Sequence, residues 1–561
     1  MHRHLVPLLL LFLLAGVPAF LSGQTADQHV VGPKLPPVET RDFDGLAEGP
    51  YDRLVIRNVM VIPGNGGPPT GPHDILIEGN VISEVRPFDP IALERARLEG
   101  QELERLTGDR VIEGDGMYVM PGMIDLHYHP RDEPLPLEYT HYLKLAHGVT
   151  SGIPGAGIRT DEVQRHHDLA ERYEFLAPRM FPIWVWGRGT GASRAEIEDP
   201  AQAEEIAREM RAQGAHVVDV GRGGYYWSPE LLEAVCAAVA AEGGITTFHI
   251  PPSITNYINA VDAARAGVTM IEHLYGYPEA AMNRSTHNFP RDYHYDNENH
   301  RFREAARAWW EVGENPETRE RLLGQVADSL VHYGVTMLPT RVTYEVNRDF
   351  LRGTSLPWHE KYTHQALIDW NVPDPASHAA HHWDWTSDDE YYWNYAFNLW
   401  SELIFEFNKR GGHLGYGADD NFQWATAGFS NIRELQLVRE SGLHNLEVLQ
   451  SATHNSAQTL GQPLLGLVRP GYLADLVLVD GNPAENFRYM YSFGAIRMAD
   501  DGSMERTRGI VHTIKDGVVI ENALLMEEVA RMVAESKRGV PPNLLEEPFL
   551  TSQPGNDGGD R

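Results

Sequence analysis

Between residues 121 and 418, short apolar runs alternate with stretches of helical periodicity, and no other feature constrains the fold as tightly. The apolar runs fall at 121–127, 147–153, 181–186, 216–220, 245–250, 268–274, 334–340 and 413–418. Helical stretches at 161–175, 200–213, 228–242 and 258–266 lie among them. Runs this short, with crossovers long enough for a helix, argue for parallel strands joined by helices. Counting the runs gives the strand number of a (β/α)8 or TIM barrel. The spacing breaks at 276–330 and 341–400, which are long and aromatic-rich and include Trp309, Trp310, Trp358, Trp370 and the dense segment 381–393. On a barrel these insertions follow strands six and seven, on the face that carries active sites. They are expected to form a lid or substrate wall, or else a packing subdomain or oligomer contact.

A different pattern flanks the barrel. Residues 52–62, 74–86 and 111–120 carry β-branched strands with Gly-Asn turns, and the same style returns at 474–480 and 509–520, the latter a hairpin turning at Asp516-Gly517. One small β-sandwich built from both ends of the chain accounts for this. The expected organisation is a signal peptide at 1–23, an arm at 24–50, β-sandwich at 51–118, barrel at 119–465, β-sandwich at 466–525, and a C-terminal helix and tail at 526–561. Arg3 followed by the apolar stretch Leu5–Phe20 and the small residues Ser22 and Gly23 has the form of an export signal. Pro18 interrupts the run, which is short for a membrane anchor. The chain is therefore expected to be exported, periplasmic or secreted, with no stable membrane insertion after cleavage. The single cysteine, Cys236, excludes an intrachain disulfide and lies in a helical apolar pattern that buries it. A formal net charge of −32 disfavours nucleic acid and anionic membranes as partners. A small-molecule substrate and a homo-oligomer remain compatible with it.

Several of the predicted strands end in a polar residue. The first ends in His127-Tyr128-His129, and residues two apart on a strand share a face, so the two imidazoles can bind one cation. Asp125, one step back on that face, would orient a ligand. Asp219 ends the fourth strand, His249 the fifth, His273 the sixth and Asp419 the eighth. Four imidazoles and two carboxylates at strand ends are a set that structure alone rarely requires. A Ser nucleophile elbow is absent, and the glycine-rich segments 155–157 and 221–224 lack a phosphate-loop lysine.

The motifs Val119–His129, Ile271-Glu272-His273, Leu446–Ala457 and Gly471–Asp480, together with Gly223-Gly224 and Ser228-Pro229, resemble those of the amidohydrolase superfamily, in particular its imidazolonepropionase- and prolidase-like branch. The resemblance implies a barrel with a β-sandwich, a site for one or two divalent metal ions, and hydrolysis of C–N, C–O or related bonds. It implies that His127, His129 and Asp419 bind the more buried ion and that His249 and His273 bind the second. In some one-metal members, His249 would join the first set and His273 would contact substrate. Relatives with two ions often carry a bridging carboxylated lysine on strand four, where this chain has Asp219, so its role as a ligand stays open. Nitrogen and oxygen ligands suit zinc first, with manganese, iron or cobalt as alternatives. The implied reaction is attack by a metal-activated water, with Asp419 as general base and His273 as a second catalytic residue. Tyr128, Tyr225 and Tyr226 are candidate substrate contacts. The expected substrate is a small amide, such as a dipeptide or N-acyl amino acid. The alternatives are a cyclic-amide hydrolase, a deaminase, or a silent ligand-binding barrel.

Overall fold

The computed structural model describes residue 43 and residues 45–539, apart from 132–133, 156–159, 222–226, 256–257, 283–288, 295–296, 373–380, 383–384 and 500. The expected signal peptide, most of the arm and the C-terminal tail lie outside the described residues.

Two parallel sheets carry the alternating region. The strands Met123–Tyr128, Val149–Pro154 and Arg179–Met180 form one. The strands Ile183–Val185, Val217–Asp219, Ile245–Phe248, Met270–Glu272, Thr336–Leu338 and His413–Leu414 form the other, in that order. Only Phe181 and Pro182 separate the two sheets in the third position, where Phe181 N donates to Gly152 O and His216 N to Pro182 O. At the other edge, Leu126 N donates to Tyr416 O (2.8 Å) and Asp419 N to His127 O (2.7 Å), so the eighth run lies beside the first. Gly417 permits that approach: a Cβ there would come within 3.0 Å of His127 N. The sequential parallel order, with helices such as Ala203–Ala212, Pro229–Ala241 and Ala260–Arg265 between strands, is a TIM-barrel-like α/β fold.

Ile124, Leu126, Val217, Met270 and Leu338 fill the interior among the strands. Val218, Phe248 and Ile271 alternate to the outside, into the larger core shared with the helices. Cys236 is buried there, as expected.

Strands from both chain ends join one nine-stranded sheet. Its order is Ala47–Glu48, Val518–Glu521, Gly509–Lys515, Leu476–Asp480, Tyr118–Pro121, Arg53–Val61, Thr70–Glu78 and Val81–Pro87, with Arg110–Glu113 beside Arg53–Val61. The hairpin at 509–521 turns on left-handed Asp516 (φ 50°) and Gly517 (φ 76°), the conformations that an Asp-Gly turn supplies.

The aromatic insertions are helical. Helices Glu298–Glu314 and Ser387–Lys409 pack against each other, with Trp309, Trp393 and Trp400 at most 1% exposed between and below them. Thr386 starts the second of these with a capping box to Asp389. These tryptophans belong to the same continuous core as Val218, Phe248 and Ile271.

Candidate active site

The site lies at the C-terminal ends of the parallel strands and begins with a break in alternation. Ile124 and Leu126 face the interior, while Asp125 turns outward to Lys144 (2.6 Å) and Asn431 (2.7 Å) on the surrounding helices. The pairing with the next strand then shifts between Asp125 and Tyr128. After that shift the rings of His127 and His129 stand together, with centroids 5.2 Å apart. The expectation that Asp125 shares their face is corrected: it reaches His127 through the backbone N–H (3.0 Å).

Asp419 joins the two imidazoles. Its Oδ1 lies 2.8 Å from His129 Nε2 and 3.2 Å from His127 Nε2, and its Oδ2 lies 3.8 Å from His273 Nδ1. On the other side of His127, Nδ1 donates to Glu272 Oε1 (2.9 Å), which also accepts from the Thr247 hydroxyl. His273 Nδ1 is 2.7 Å from Thr340 Oγ1, and the His273 ring is 4.6 Å from that of His249. Three of these residues hold left-handed backbone: His273 (φ 64°), Thr340 (φ 50°) and Asp419 (φ 47°). Strain of this kind persists only where the surroundings enforce it, and it gathers at functional sites.

Electrostatics sorts the ring and carboxyl groups. Burial opposes ionisation of Asp419, but His127, His129 and His273 outweigh it and hold the carboxyl well below its usual range. Burial likewise disfavours a charged His127, yet Glu272 and Asp419 raise it well above an ordinary imidazole. Burial dominates at His129 and lowers it to about 4.

The ligand atoms of His127, His273 and Asp419 lie within 4.8 Å of one another, as do those of His249, Glu272 and His273. His129 Nδ1 is buried without a hydrogen-bond partner, and His127 Nε2 has only the Asp419 carboxylate beside it, at 3.2 Å. Buried polar atoms are normally satisfied, and imidazole nitrogens beside a carboxylate are the donor set that divalent ions take. The residues present therefore fit a metal ion.

The family model for the amidohydrolase family matches residues 407–520, which include Asp419 and the return to the β-sheet. A solved Xaa-Pro dipeptidase with bound methionine is 17% identical, covering 84% of this chain and 100% of that one, with a TM-score of 0.53. Bottromycin amidohydrolase is 17% identical over 86% of this chain and 90% of that one (TM-score 0.56), and A. niger ochratoxinase 16% over 84% and 96% (TM-score 0.52). Residues 407–520 are thus amidohydrolase-like in sequence, and the fold resembles those of the solved structures. A search of curated proteins by sequence gave no match. The solved structures, all under 25% identical, share the fold with this chain.

The expected site residues divide. His127, His273 and Asp419 fall in one ligand cluster and His249 with His273 in the other, while His129 belongs to neither among the described residues but lies 2.8 Å from Asp419. Asp219 belongs to neither ligand cluster among the described residues; its Oδ1 accepts from Gly221 N (2.7 Å) and so holds the turn after its strand. Tyr128 is corrected as a substrate contact. It points outward, fully buried against Gly152 and under Lys144 (4.8 Å from the ring centroid). Tyr225 and Tyr226 lie outside the described residues.

Glu272, inside the quoted sixth-strand motif, is a site residue that the strand-end reading passed over. So is Tyr344, whose buried ring stands 5.7 Å from His273 and stacks on Trp393. Its ring lies 6.4 Å from that of Tyr275, itself 5.3 Å from His249. Through Tyr344 the insertion reaches the site wall.

Proposed function

We propose that the chain is an exported, metal-dependent amidohydrolase that cleaves a C–N bond of a small amide, a dipeptide or N-acyl amino acid, on an eight-stranded barrel. The observation that carries this is the convergence of His127, His129, His273 and Asp419 in one buried cluster. His127, His129 and Asp419 would hold a first ion, with His249 and His273 available to a second; zinc suits the mixed donors. When bound, such an ion supplies polarisation of a carbonyl and activation of water near neutral pH.

The chain's own groups then move the proton. Asp419 is held ionised by its imidazole neighbours, so it can accept a proton and deliver it to the leaving nitrogen. Glu272, bonded to His127 Nδ1, fixes that ring's tautomer and leaves Nε2 as the ligand atom. The dipeptide class is favoured because a Xaa-Pro dipeptidase is among the similar structures; export is favoured by Arg3 and the leucine run.

The decisive experiment is elemental analysis of the purified protein, followed by a screen of dipeptides, acyl amino acids and cyclic amides with added Zn²⁺ or Mn²⁺. Amide turnover that depends on the metal is expected. A protein that takes up no metal would establish a silent barrel instead. N-terminal sequencing of the exported protein should start between about Gly23 and Asp27; an intact Met1 would refute the cleaved signal.

A further inference from the structure

Behind the site, between the strands and the outer helices, sits a charge that hydrolysis does not use. The Lys144 side chain is 0% exposed. Its Nζ donates to Asp125 Oδ2 (2.6 Å), to Asn431 Oδ1 (2.9 Å) and to Asp420 Oδ2. An ammonium has three donors and pays heavily for burial unless each is used; here all three are.

The two carboxylates that it joins come from the first strand and from the segment after the eighth, and each turns its other oxygen to the backbone of the site. Asp125 Oδ1 accepts from His127 N (3.0 Å) and Ala418 N (3.2 Å). Asp420 Oδ1 lies 3.5 Å from His129 N, and Asp420 directly follows Asp419. One helical turn before Lys144, Thr140 works on the same segments: its hydroxyl donates to Pro130 O (3.0 Å) and accepts from Asn421 Nδ2 (2.8 Å). The helix Leu137–Ala146 thus grips the ends of strands one and eight at two points.

We propose that Lys144 is a positioning residue for the metal site. By holding Asp125 and Asp420 together, it fixes the backbone from which His127, His129 and Asp419 project. This rests on the metal-dependent reading above. The lysine that relatives place on strand four is absent here; this one comes from the first helix, stays out of the site, and acts on the ligands from behind.

The test compares the full-length parent with Lys144→Met and with the charge-balanced Lys144→Met/Asp420→Asn. The measurements are Zn²⁺ affinity by chelator competition, metal per chain, and thermal unfolding of the metal-free proteins. Removal of support behind metal ligands typically weakens affinity 10–100-fold. That loss is expected in the double variant, with metal-free unfolding within a few degrees of the parent. Parent-like affinity in the double variant overturns the proposal and leaves the metal reading standing. Loss of the folded state in both variants assigns Lys144 to the fold alone and overturns it too. A parent that takes up no zinc removes the metal reading and this proposal together.

Discussion

At the scale of single residues, the two aspartates at strand ends separate by what they touch. Asp419 bridges two imidazoles, whereas Asp219 holds a turn amide. Asp419→Asn keeps the shape but removes the charge and the basicity. Loss of a general base costs about 10²–10⁴ in rate, so near-complete loss of turnover with folding retained is expected. Asp219→Asn should keep the parent's metal content and lower the rate only modestly. Metal per chain and turnover for both variants check this, and full activity in Asp419→Asn would remove its assigned role.

The sequence made the imidazoles legible because each follows an apolar run. Alternation and the strand-end reading disagree at Glu272 and His273. Ordinary alternation sends Met270 and Glu272 inward, so His273 should face away; left-handed backbone at His273 brings both neighbours into the site. The pairing shift after Asp125 has the same effect on the first strand. Periodicity cannot register a residue whose backbone leaves the strand conformation.

At the scale of elements, the helix Phe429–Glu440 braces the turn after strand seven through Glu434, whose carboxylate accepts from Val342 N (2.7 Å). Burial pushes this carboxyl up to about 8. The folded value lies above the unfolded one, near 4.3, so the folded state binds the proton more tightly. Its stabilising contribution is complete at acid pH and is lost as pH rises from about 4 through 8. Glu434→Gln removes this dependence, so thermal unfolding across pH 5–8 should show the parent losing ground to the variant as pH rises. Equal pH slopes would place the proton elsewhere.

The insertion makes the complementary case. Its aromatic density permits a lid or a packed subdomain, and composition cannot choose. The Thr-x-x-Asp start of the helix Ser387–Lys409 was a readable sign of order. Trp393, 0% exposed between Tyr344 and Trp385, shows the packing. Trp393→Ala should cost about 3–5 kcal/mol in urea unfolding, as large aromatic deletions do, and should impair turnover through Tyr344. Unchanged stability would mean that the segment is a loose cover.

At the scale of the molecule, the question is whether the barrel-like part and the terminal β-sheet unfold as one. The sequence showed that both chain ends build the sheet, because the strand style of residues 52–62 recurs at 509–520. It did not show the tie between the two parts, since ion pairs across hundreds of residues leave no local pattern. Arg179, on the third barrel strand, is 2% exposed and pairs with Asp475 and Asp516 of the β-sheet. Asp516 also accepts from Tyr173 (2.7 Å) and Asn80 (3.1 Å), so one buried carboxylate collects donors from both parts. Replacing such a pair by apolar groups can be neutral, but removing one partner strands the other charge and typically costs 3–5 kcal/mol. Arg179→Met should therefore destabilise strongly, because Asp475 loses its cation and Asp516 keeps only Lys515, at 3.3 Å. If the junction couples the parts, the variant still unfolds in a single urea transition at a lower midpoint, by tryptophan fluorescence and by circular dichroism alike. Fluorescence follows the barrel-like part here, since the chain has no tryptophan before Trp184 or after Trp424. Two separated transitions would instead mean that each part is stable alone and that Arg179 serves only as the seam between them.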